Sequence, residues 1–221
     1  MAEVFDIKDA TRLLPAVRTA RNAIRRGELI VLPTDTVYGV AADAFNPGAV
    51  QDLLAAKGRT RQSPPPVLIP NLGTLHALAA EVSESVAKLA EAFWPGPLTL
   101  IMVAQPSLSW DLGETRGTVA LRMPNHELTL QLLSEIGPLA VSSANITGEP
   151  AAQTAAEAEA MLGESITVYL EDGLVSGDGT PSTILDVTGL HQANGVIRVL
   201  RDGALSREQI EAVLPEATLI G

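Results

Sequence analysis

The 221-residue sequence contains no cysteine, which excludes disulfide bonds, thiolate metal sites and cysteine nucleophiles. Its three histidines, His76, His126 and His191, are widely spaced, so a histidine metal site is not expected. The glycine motifs of P-loop and dinucleotide-binding proteins are missing, and so is the nucleophilic serine elbow. The sequence therefore offers no obvious protein nucleophile or strong general base, and no histidine or thiolate metal site is expected.

Long hydrophobic runs are also missing. No apolar stretch approaches the roughly 20 residues that a membrane span needs, and the acidic N-terminus does not resemble a signal peptide. Together with the absence of cysteine, this predicts a cytoplasmic protein that makes no contact with a membrane.

Cations are scarce, with 15 Lys and Arg against 26 Asp and Glu, for a net charge of −11. This balance argues against a protein that mainly coats nucleic acid or anionic membrane. It is compatible with a local basic cleft, because salt limits electrostatic range to about 8–10 Å. Hydrophobic residues make up 46% of the chain and aromatic residues 3%, so the core must be aliphatic. The length and the lack of repeats predict one domain over residues 1–221.

Residues 29–43 are the most informative stretch. Residues 29–32 are apolar and predict a buried strand that ends at Pro33, which cannot donate to a sheet. Hydroxyls, one carboxylate and a glycine follow at the carboxyl end of this strand, where open α/β sheets bind ligands. A polar strand-to-helix loop that binds nothing explains the composition equally well.

A second strand, starting at residue 139, opens into Ser142, Ser143 and Asn145, and two such strand exits suggest one shared cleft.

The loop 57–66 places three cations within five residues, which suits a polyphosphate, although an ordinary basic surface loop is the alternative. Arg122 near the exit of another strand is either part of a salt bridge or an anion ligand. Hydroxyl groups, an amide and cations can position substrates and stabilise developing negative charge. The sequence therefore suits a reaction that is catalysed in this way, such as nucleotidyl transfer.

The remaining periodicity predicts an α/β protein. Helices are expected near residues 11–26, 47–57, 74–80, 84–93, 126–136, 154–162 and after 206. Strands are expected near residues 4–5, 67–69, 98–103, 118–124, 166–170 and 196–201. The loops 105–117 and 173–179 stand out, the first as a candidate lid. The first helix carries a face of four arginines that is either solvated or in contact with RNA: Arg18, Arg21, Arg25 and Arg26.

Seven short motifs occur in an order that closely resembles the YrdC family of L-threonylcarbamoyladenylate synthases. They are PTDTVYG at 33–39, KGR at 57–59, WPGPLT at 94–99, VALRMP at 119–124, SAN at 143–145, PST at 181–183 and LRDG at 200–203. The likeness covers about residues 4–214, the expected core of the domain. It implies an open, twisted sheet of parallel and antiparallel strands with helices and one large concave cleft.

The resemblance also implies a nucleotidyltransferase. Its reaction converts L-threonine, bicarbonate or CO2, and ATP into threonylcarbamoyl-AMP and pyrophosphate, with Mg²⁺ carried by the phosphates. Downstream threonylcarbamoyl-transferase proteins use the product to modify an adenosine next to the tRNA anticodon, and a direct tRNA contact is an open expectation. Two other functions are compatible with the sequence: an RNA-binding module, and a carbamoyl-transfer domain of the hydrogenase-maturation type.

Carried over residue by residue, the resemblance implies two groups of ligands. The predicted L-threonine ligands are Thr34, Arg122, Val141 and Ser182. The predicted ATP ligands are Lys57, Arg59, Arg61, Thr118, Ser143, Asn145 and Arg201. Lys57 and Arg59 are the predicted catalytic residues. Arg61 is not carried over from the family: the loop reads Arg59-Thr60-Arg61 where Arg-Pro is usual, and this departure makes Arg61 a candidate additional phosphate ligand.

Two departures from the family pattern change the expected site. Leu68 stands where many relatives carry a histidine, so that contact with the threonine pocket is lost or replaced. Longer relatives also carry a linker and a second domain over the cleft, so in this chain either another element is expected to exclude water or closure is incomplete.

Overall fold

The structure is a computed structural model that describes residues 2–175, 179–191 and 195–221. These residues form seven α-helices: α1 (Ala10–Arg25), α2 (Pro47–Ala56), α3 (Leu72–Leu78), α4 (Glu84–Phe93), α5 (Glu127–Ile136), α6 (Ala155–Leu162) and α7 (Arg207–Val213). They also form eleven strands: β1 (Glu3–Asp6), β2 (Ile30–Leu32), β3 (Gly39–Asp43), β4 (Val67–Leu68), β5 (Leu98–Val103), β6 (Thr118–Arg122), β7 (Leu139–Ser143), β8 (Val168–Glu171), β9 (Thr183–Asp186), β10 (Val196–Arg201) and β11 (Thr218–Ile220).

All eleven strands belong to one sheet, in the order β1-β8-β2-β3-β7-β4-β6-β5-β9-β10-β11. The sheet contains both parallel pairs, such as β4 with β6, and antiparallel pairs, such as β4 with β7, which confirms the predicted mixed, open α/β sheet. Side-chain caps begin these helices: Asn46 accepts from two backbone N–H groups at the start of α2, and Ser206 and Gln209 form a capping box at α7.

The sequence predicts no strand between Pro33 and Asn46, but the structure contains one there. The chain does not pass directly from β2 to a helix, but returns as β3, so that Leu32 pairs with Gly39 in an antiparallel hairpin. The GVAAD sequence of β3 lacks aromatic residues and has a single β-branched one, which hides its strand character. A Cβ at Gly39 would lie 2.5 Å from Cγ1 of Val141, so glycine permits the close approach of β3 to β7.

The loop 105–117 is anchored to the core. Leu112 is 2% exposed and packs in the largest buried cluster, and Trp110 stacks on Phe45 with ring centroids 5.5 Å apart. The loop 105–117, the candidate lid, is therefore attached to the rest of the protein by the packing of Leu112 and by the stacking of Trp110 on Phe45. Of the other predicted loop, 173–179, residues 176–178 lie outside the described residues.

Across the described part of the chain, no helix has both the length and the apolar character needed to cross a bilayer.

Candidate active site

A cavity of about 350 Å³ opens where several strands of the sheet end. Its wall comes from the loop 33–38, the loop 57–66, strands β4 to β7 and the segments that end in Ser182 and Arg201. Eight of the eleven predicted site residues line it: Thr34, Arg59, Arg122, Val141, Ser143, Asn145, Ser182 and Arg201. The sheet thus brings together residues that are up to 167 positions apart in the sequence.

Strand register explains how the floor of this cavity forms. Leu68 pairs with Arg122, Thr99 pairs with Ile184, and Ile184 pairs with Arg201. Because Leu100 pairs with Leu121 in the antiparallel β5–β6 ladder, Thr99 lies beside Arg122. Paired residues on neighbouring strands point to the same face of a sheet, so these five side chains form one row.

Arg122 is 7% exposed and firmly held. Its Nη2 donates to Asp35 Oδ1 at 2.6 Å, its Nη1 to Thr36 Oγ1 at 3.0 Å and its Nε to the Gly96 carbonyl at 3.0 Å. Burial lowers the pKa of Arg122, and the Asp35 carboxylate opposes this shift. These bonds use three of the five guanidinium N–H groups, so two are left for a ligand.

Arg201 and Arg59 complete a group of three guanidinium ions. Arg201 donates from Nε to the Ser182 carbonyl and from Nη2 to Ser182 Oγ, both at 2.9 Å. Arg59 donates to Thr147 Oγ1 at 3.2 Å and to Ser142 Oγ at 3.1 Å. Among the described residues, neither arginine forms an ion pair within 4.0 Å.

The three arginines repel one another across the cavity. Burial lowers the pKa of Arg201, and the charges of Arg122 and then Arg59 lower it further. Asp35 offsets part of this charge, and Glu149 is an exposed carboxylate on the cavity wall. A protein of net charge −11 therefore concentrates positive charge and N–H donors here, as a site for an anion requires.

Lys57 has a different position from the one predicted. It is fully buried at the end of α2, and its Nζ donates to the carbonyl of Ser143, to the carbonyl of Asn145 at 2.7 Å and to Asn145 Oδ1 at 3.2 Å. Burial lowers the pKa of Lys57 to about 7, with Arg59 adding to the shift. Lys57 is absent from the cavity wall and acts on the site by positioning the segment after β7.

Asn145 lines the cavity, but its side chain has no free donor. Its Nδ2 donates to the carbonyl of Ile146 at 3.0 Å and to the carbonyl of Glu149 at 2.7 Å. Donation from Asn145 to a phosphate therefore stays a prediction, and it requires one of these two bonds to break. Asn145 shapes the loop 145–149, and the hydroxyl of Ser143 is the available polar group of the motif.

Two other predicted ATP ligands lie outside the cavity wall. Arg61 forms a two-pronged ion pair with Asp111, with both N–O distances 2.8 Å, so this pair must break before Arg61 reaches a phosphate. Thr118 lines a separate depression of about 90 Å³, in which its hydroxyl donates to the Thr115 carbonyl at 2.7 Å. Pro64 lines both this depression and the main cavity.

The predicted threonine ligands all lie on the cavity wall, and some of their hydrogen-bonding atoms already have partners in the protein. The hydroxyl of Thr34 donates to the Val37 carbonyl at 2.6 Å and holds its own loop. The backbone N–H of Val141 donates to the Pro66 carbonyl at 2.8 Å, which leaves its side chain for a ligand. The free N–H groups of Arg122 and the hydroxyl of Ser182 are the polar groups that remain.

Sequence reasoning assigned no individual role to several residues of the wall. Thr36 orients Arg122, Thr99 contacts Ser182, and Ser142 holds Arg59. Thr36 and Thr99 lie inside motifs that were recognised, but the direction of their side chains depends on strand register. Glu149 follows the SAN motif and carried no sequence signal.

The arginine face of α1 does not contribute to the cavity. Arg21 pairs with Glu135 at 3.2 Å and Arg26 with Glu28 at 2.7 Å, while Arg18 and Arg25 are exposed. None of the four arginines is part of the cavity wall. The structure thus favours the solvated interpretation of this helix face over an RNA-binding one.

The fold and the cavity define an α/β protein with a cation-lined site that spans its central strands. A model of the family described as Sua5/YciO/YrdC, telomere recombination, matches residues 22–203. The chain belongs to this family, which confirms the resemblance in its motifs.

Individual relatives agree with this assignment. A Mycobacterium tuberculosis protein provisionally named threonylcarbamoyl-AMP synthase is 46% identical over 214 residues, which cover 97% of this chain and 96% of that protein. The threonylcarbamoyl-AMP synthase of Bacillus subtilis is 38% identical over 90% of this chain and 57% of its own length. The crystal structure of Sua5 from P. abyssi complexed with L-threonine superposes with a TM-score of 0.83 at 35% identity, covering 92% of this chain and 58% of that one.

Proposed function

We propose that this protein is a threonylcarbamoyl-AMP synthase, which joins L-threonine, bicarbonate or CO2, and ATP into threonylcarbamoyl-AMP with release of pyrophosphate. The observation that carries the proposal is the convergence of Arg59, Arg122 and Arg201 on one cavity in an acidic protein. Relatives named threonylcarbamoyl-AMP synthase and the L-threonine complex of Sua5 support it.

The arrangement of donors suggests where each substrate binds. The two free N–H groups of Arg122 donate to the carboxylate of L-threonine, beside Ser182, Thr34 and Val141. Arg59, Arg201 and the Ser143 hydroxyl contact the phosphates of ATP. A nucleotide that extends past Pro64 reaches the depression at Thr118.

The chemistry needs no nucleophile from the protein. The amino group of L-threonine bonds to the carbon of CO2 and loses a proton, which yields a carbamate. An oxygen of this carbamate attacks the α-phosphorus of ATP, and the bond to the β-phosphate oxygen breaks to release pyrophosphate. Arg59 and Arg201 stabilise the negative charge that develops in this step, and the cavity aligns the two reactants.

Several further parts of the account are proposals of the same kind. Mg²⁺ enters on the phosphates of ATP, since it commonly binds through phosphates and water with one or two carboxylates. Glu149 is a carboxylate of the cavity wall, and among the described residues no group of three or more metal-ligating side chains occurs. We further propose that residues 1–221 are one cytoplasmic domain whose product passes to threonylcarbamoyl-transferase proteins for tRNA modification.

The direct test is pyrophosphate release by the purified protein. With ATP, bicarbonate and Mg²⁺, release should depend on L-threonine, and threonylcarbamoyl-AMP should appear in equal amount by mass spectrometry. Release that is independent of threonine, or none at all, would contradict the synthase assignment. Tight, steeply salt-dependent tRNA binding without pyrophosphate release would instead support the RNA-binding alternative.

An Arg201→Met variant should lower kcat/KM for ATP by about 100-fold to 1,000-fold, because a cation on the developing phosphate charge is lost. Arg207→Met is the matched control, since Arg207 lies nearby in sequence and pairs on the surface with Asp202. Steady-state kinetics with ATP as the varied substrate measures both. Equal rates in the two variants would exclude Arg201 from the phosphate site.

A further inference from the structure

Thr99 and Ser182 form a buried pair of hydroxyls in the wall of the cavity. Thr99 is 1% exposed and Ser182 is 4% exposed, and their oxygens are 2.8 Å apart. Thr99 belongs to β5, whereas Ser182 immediately precedes β9, so the sheet brings them together from 83 positions apart. Neither the motif resemblance nor the proposed reaction assigns a role to Thr99.

The direction of the hydrogen bond between them follows from counting donors and acceptors. A hydroxyl has one proton and two lone pairs. Ser182 Oγ already accepts one bond from Nη2 of Arg201. Either hydroxyl can donate in this pair, and both residues line the cavity. If Ser182 donated to Thr99, the Thr99 proton would find no acceptor among the described residues and would depend on a ligand in the cavity. Because Thr99 is the more buried of the two and an unsatisfied buried donor is costly, donation from Thr99 to Ser182 is the favoured direction.

This direction fixes what Ser182 presents to a ligand. Its two lone pairs are filled by Arg201 and Thr99, so its remaining hydrogen-bonding group is its own proton. Ser182 lines the cavity, and this proton is available to an acceptor atom in it. Thr99 therefore converts Ser182 from a group that both donates and accepts into one that only donates.

The surroundings of Arg122 differ on its two sides. Thr99 lies beside it on β5, and Leu68 lies beside it on β4. An amino acid whose carboxylate is bound by Arg122 thus has a hydroxyl donor on one side of its Cα and an aliphatic wall on the other. L-Threonine has one hydroxyl and one methyl on Cβ, which match these two sides.

We infer that Thr99 is a specificity-determining positioning residue: it orients the Ser182 proton toward the β-hydroxyl oxygen of the amino acid, while Leu68 contacts the methyl group. This inference deepens the proposed function and rests on it. The site then takes β-hydroxy-α-amino acids with the configuration of L-threonine. L-Valine, in which a methyl replaces the hydroxyl, leaves the Ser182 proton unpaired, and L-allo-threonine directs its hydroxyl toward Leu68.

The experiment compares kcat/KM for L-threonine, L-valine and L-allo-threonine, each supplied alone, in pyrophosphate release that depends on the added amino acid. A site that binds a substrate hydroxyl rejects an analogue without it by up to about 10⁴-fold, and we expect at least about 1,000-fold for the wild type. Thr99→Val should reduce the preference for L-threonine over L-valine by tenfold or more. Thr99→Ser, which restores the hydroxyl, should recover the preference.

Thr183→Val is the matched control for a structural effect. Thr183 is also 1% exposed, and its hydroxyl donates to the Leu205 carbonyl at 2.8 Å away from the cavity wall. Its substitution should lower the melting temperature without changing the threonine-to-valine ratio. Thermal-shift titration of each variant with the three amino acids gives the same preference from binding alone.

The outcomes separate the inference from the function on which it rests. A wild-type enzyme that uses L-threonine, with the same threonine-to-valine ratio in Thr99→Val, overturns the role of Thr99 and leaves the synthase intact. A wild-type protein that neither binds L-threonine nor releases pyrophosphate with it overturns both. A ratio that falls in Thr99→Val, stays in Thr183→Val and recovers in Thr99→Ser supports the inference.

Discussion

An Arg122→Met variant is expected to lose threonine-dependent pyrophosphate release by about 1,000-fold and to unfold more easily by about 3–5 kcal/mol. The loss of activity follows because the carboxylate of L-threonine no longer meets a guanidinium group. The loss of stability follows because Asp35, whose side chain is 11% exposed, keeps a buried charge without its partner at 2.6 Å. Chemical denaturation and steady-state kinetics measure the two effects separately.

A second substitution distinguishes the two roles of Arg122. Adding Asp35→Asn to Arg122→Met removes the unpaired charge, so part of the stability should return while activity stays low. Arg21→Met is the surface control, since Arg21 and Glu135 are each about one-third exposed and such pairs contribute about 0–1 kcal/mol. Threonine-dependent activity within tenfold of the wild type in Arg122→Met would refute the carboxylate assignment.

A Lys57→Met variant is expected to lower the free energy of unfolding by about 2–4 kcal/mol, because the oxygens of Ser143 and Asn145 lose a buried donor. Activity should fall as well, since these oxygens fix the segment that carries Ser143 into the cavity. Lys88→Met is the control: Lys88 pairs with Glu84 on the exposed face of α4, where about 0.5 kcal/mol is expected.

The lowered pKa of Lys57 predicts how the contribution of this residue to stability changes with pH. Because burial lowers the pKa of Lys57 to about 7, from 10.5 in the unfolded chain, the unfolded state binds more protons between these values. The stability of the wild type relative to Lys57→Met should therefore rise as the pH increases from about 7 toward 10. Denaturation curves for both proteins across this range measure the difference, and a constant difference would contradict the burial of Lys57.

Much of the fold could be predicted because its signals are local. Asn46 before Pro47, Ser83 before α4 and Ser206 with Gln209 each mark the start of a helix through a cap that forms within four residues. Strand β3 was missed, since its small residues resemble a loop and its pairing with β7 depends on contacts about 100 residues away.

The sequence predicts which residues lie in the candidate site better than it predicts what each of them does there. Ordered motifs indicated which residues converge, but the polar groups of Lys57, Asn145 and Arg61 are used by partners that only the folded chain brings near them. Thr99 shows the same limit, because its importance depends on a hydroxyl 83 positions away. Side-chain direction is set by register and burial, which no short motif contains.

The central claim is that one cavity holds the nucleotide and the amino acid together, with Arg122 on the carboxylate and Arg59 and Arg201 on the phosphates. A crystal structure with L-threonine and a non-hydrolysable ATP analogue tests it most directly. The account predicts both ligands in the 350 Å³ cavity with these three contacts. Ligands bound elsewhere, such as in the depression beside Glu28 and Asp52, would contradict it.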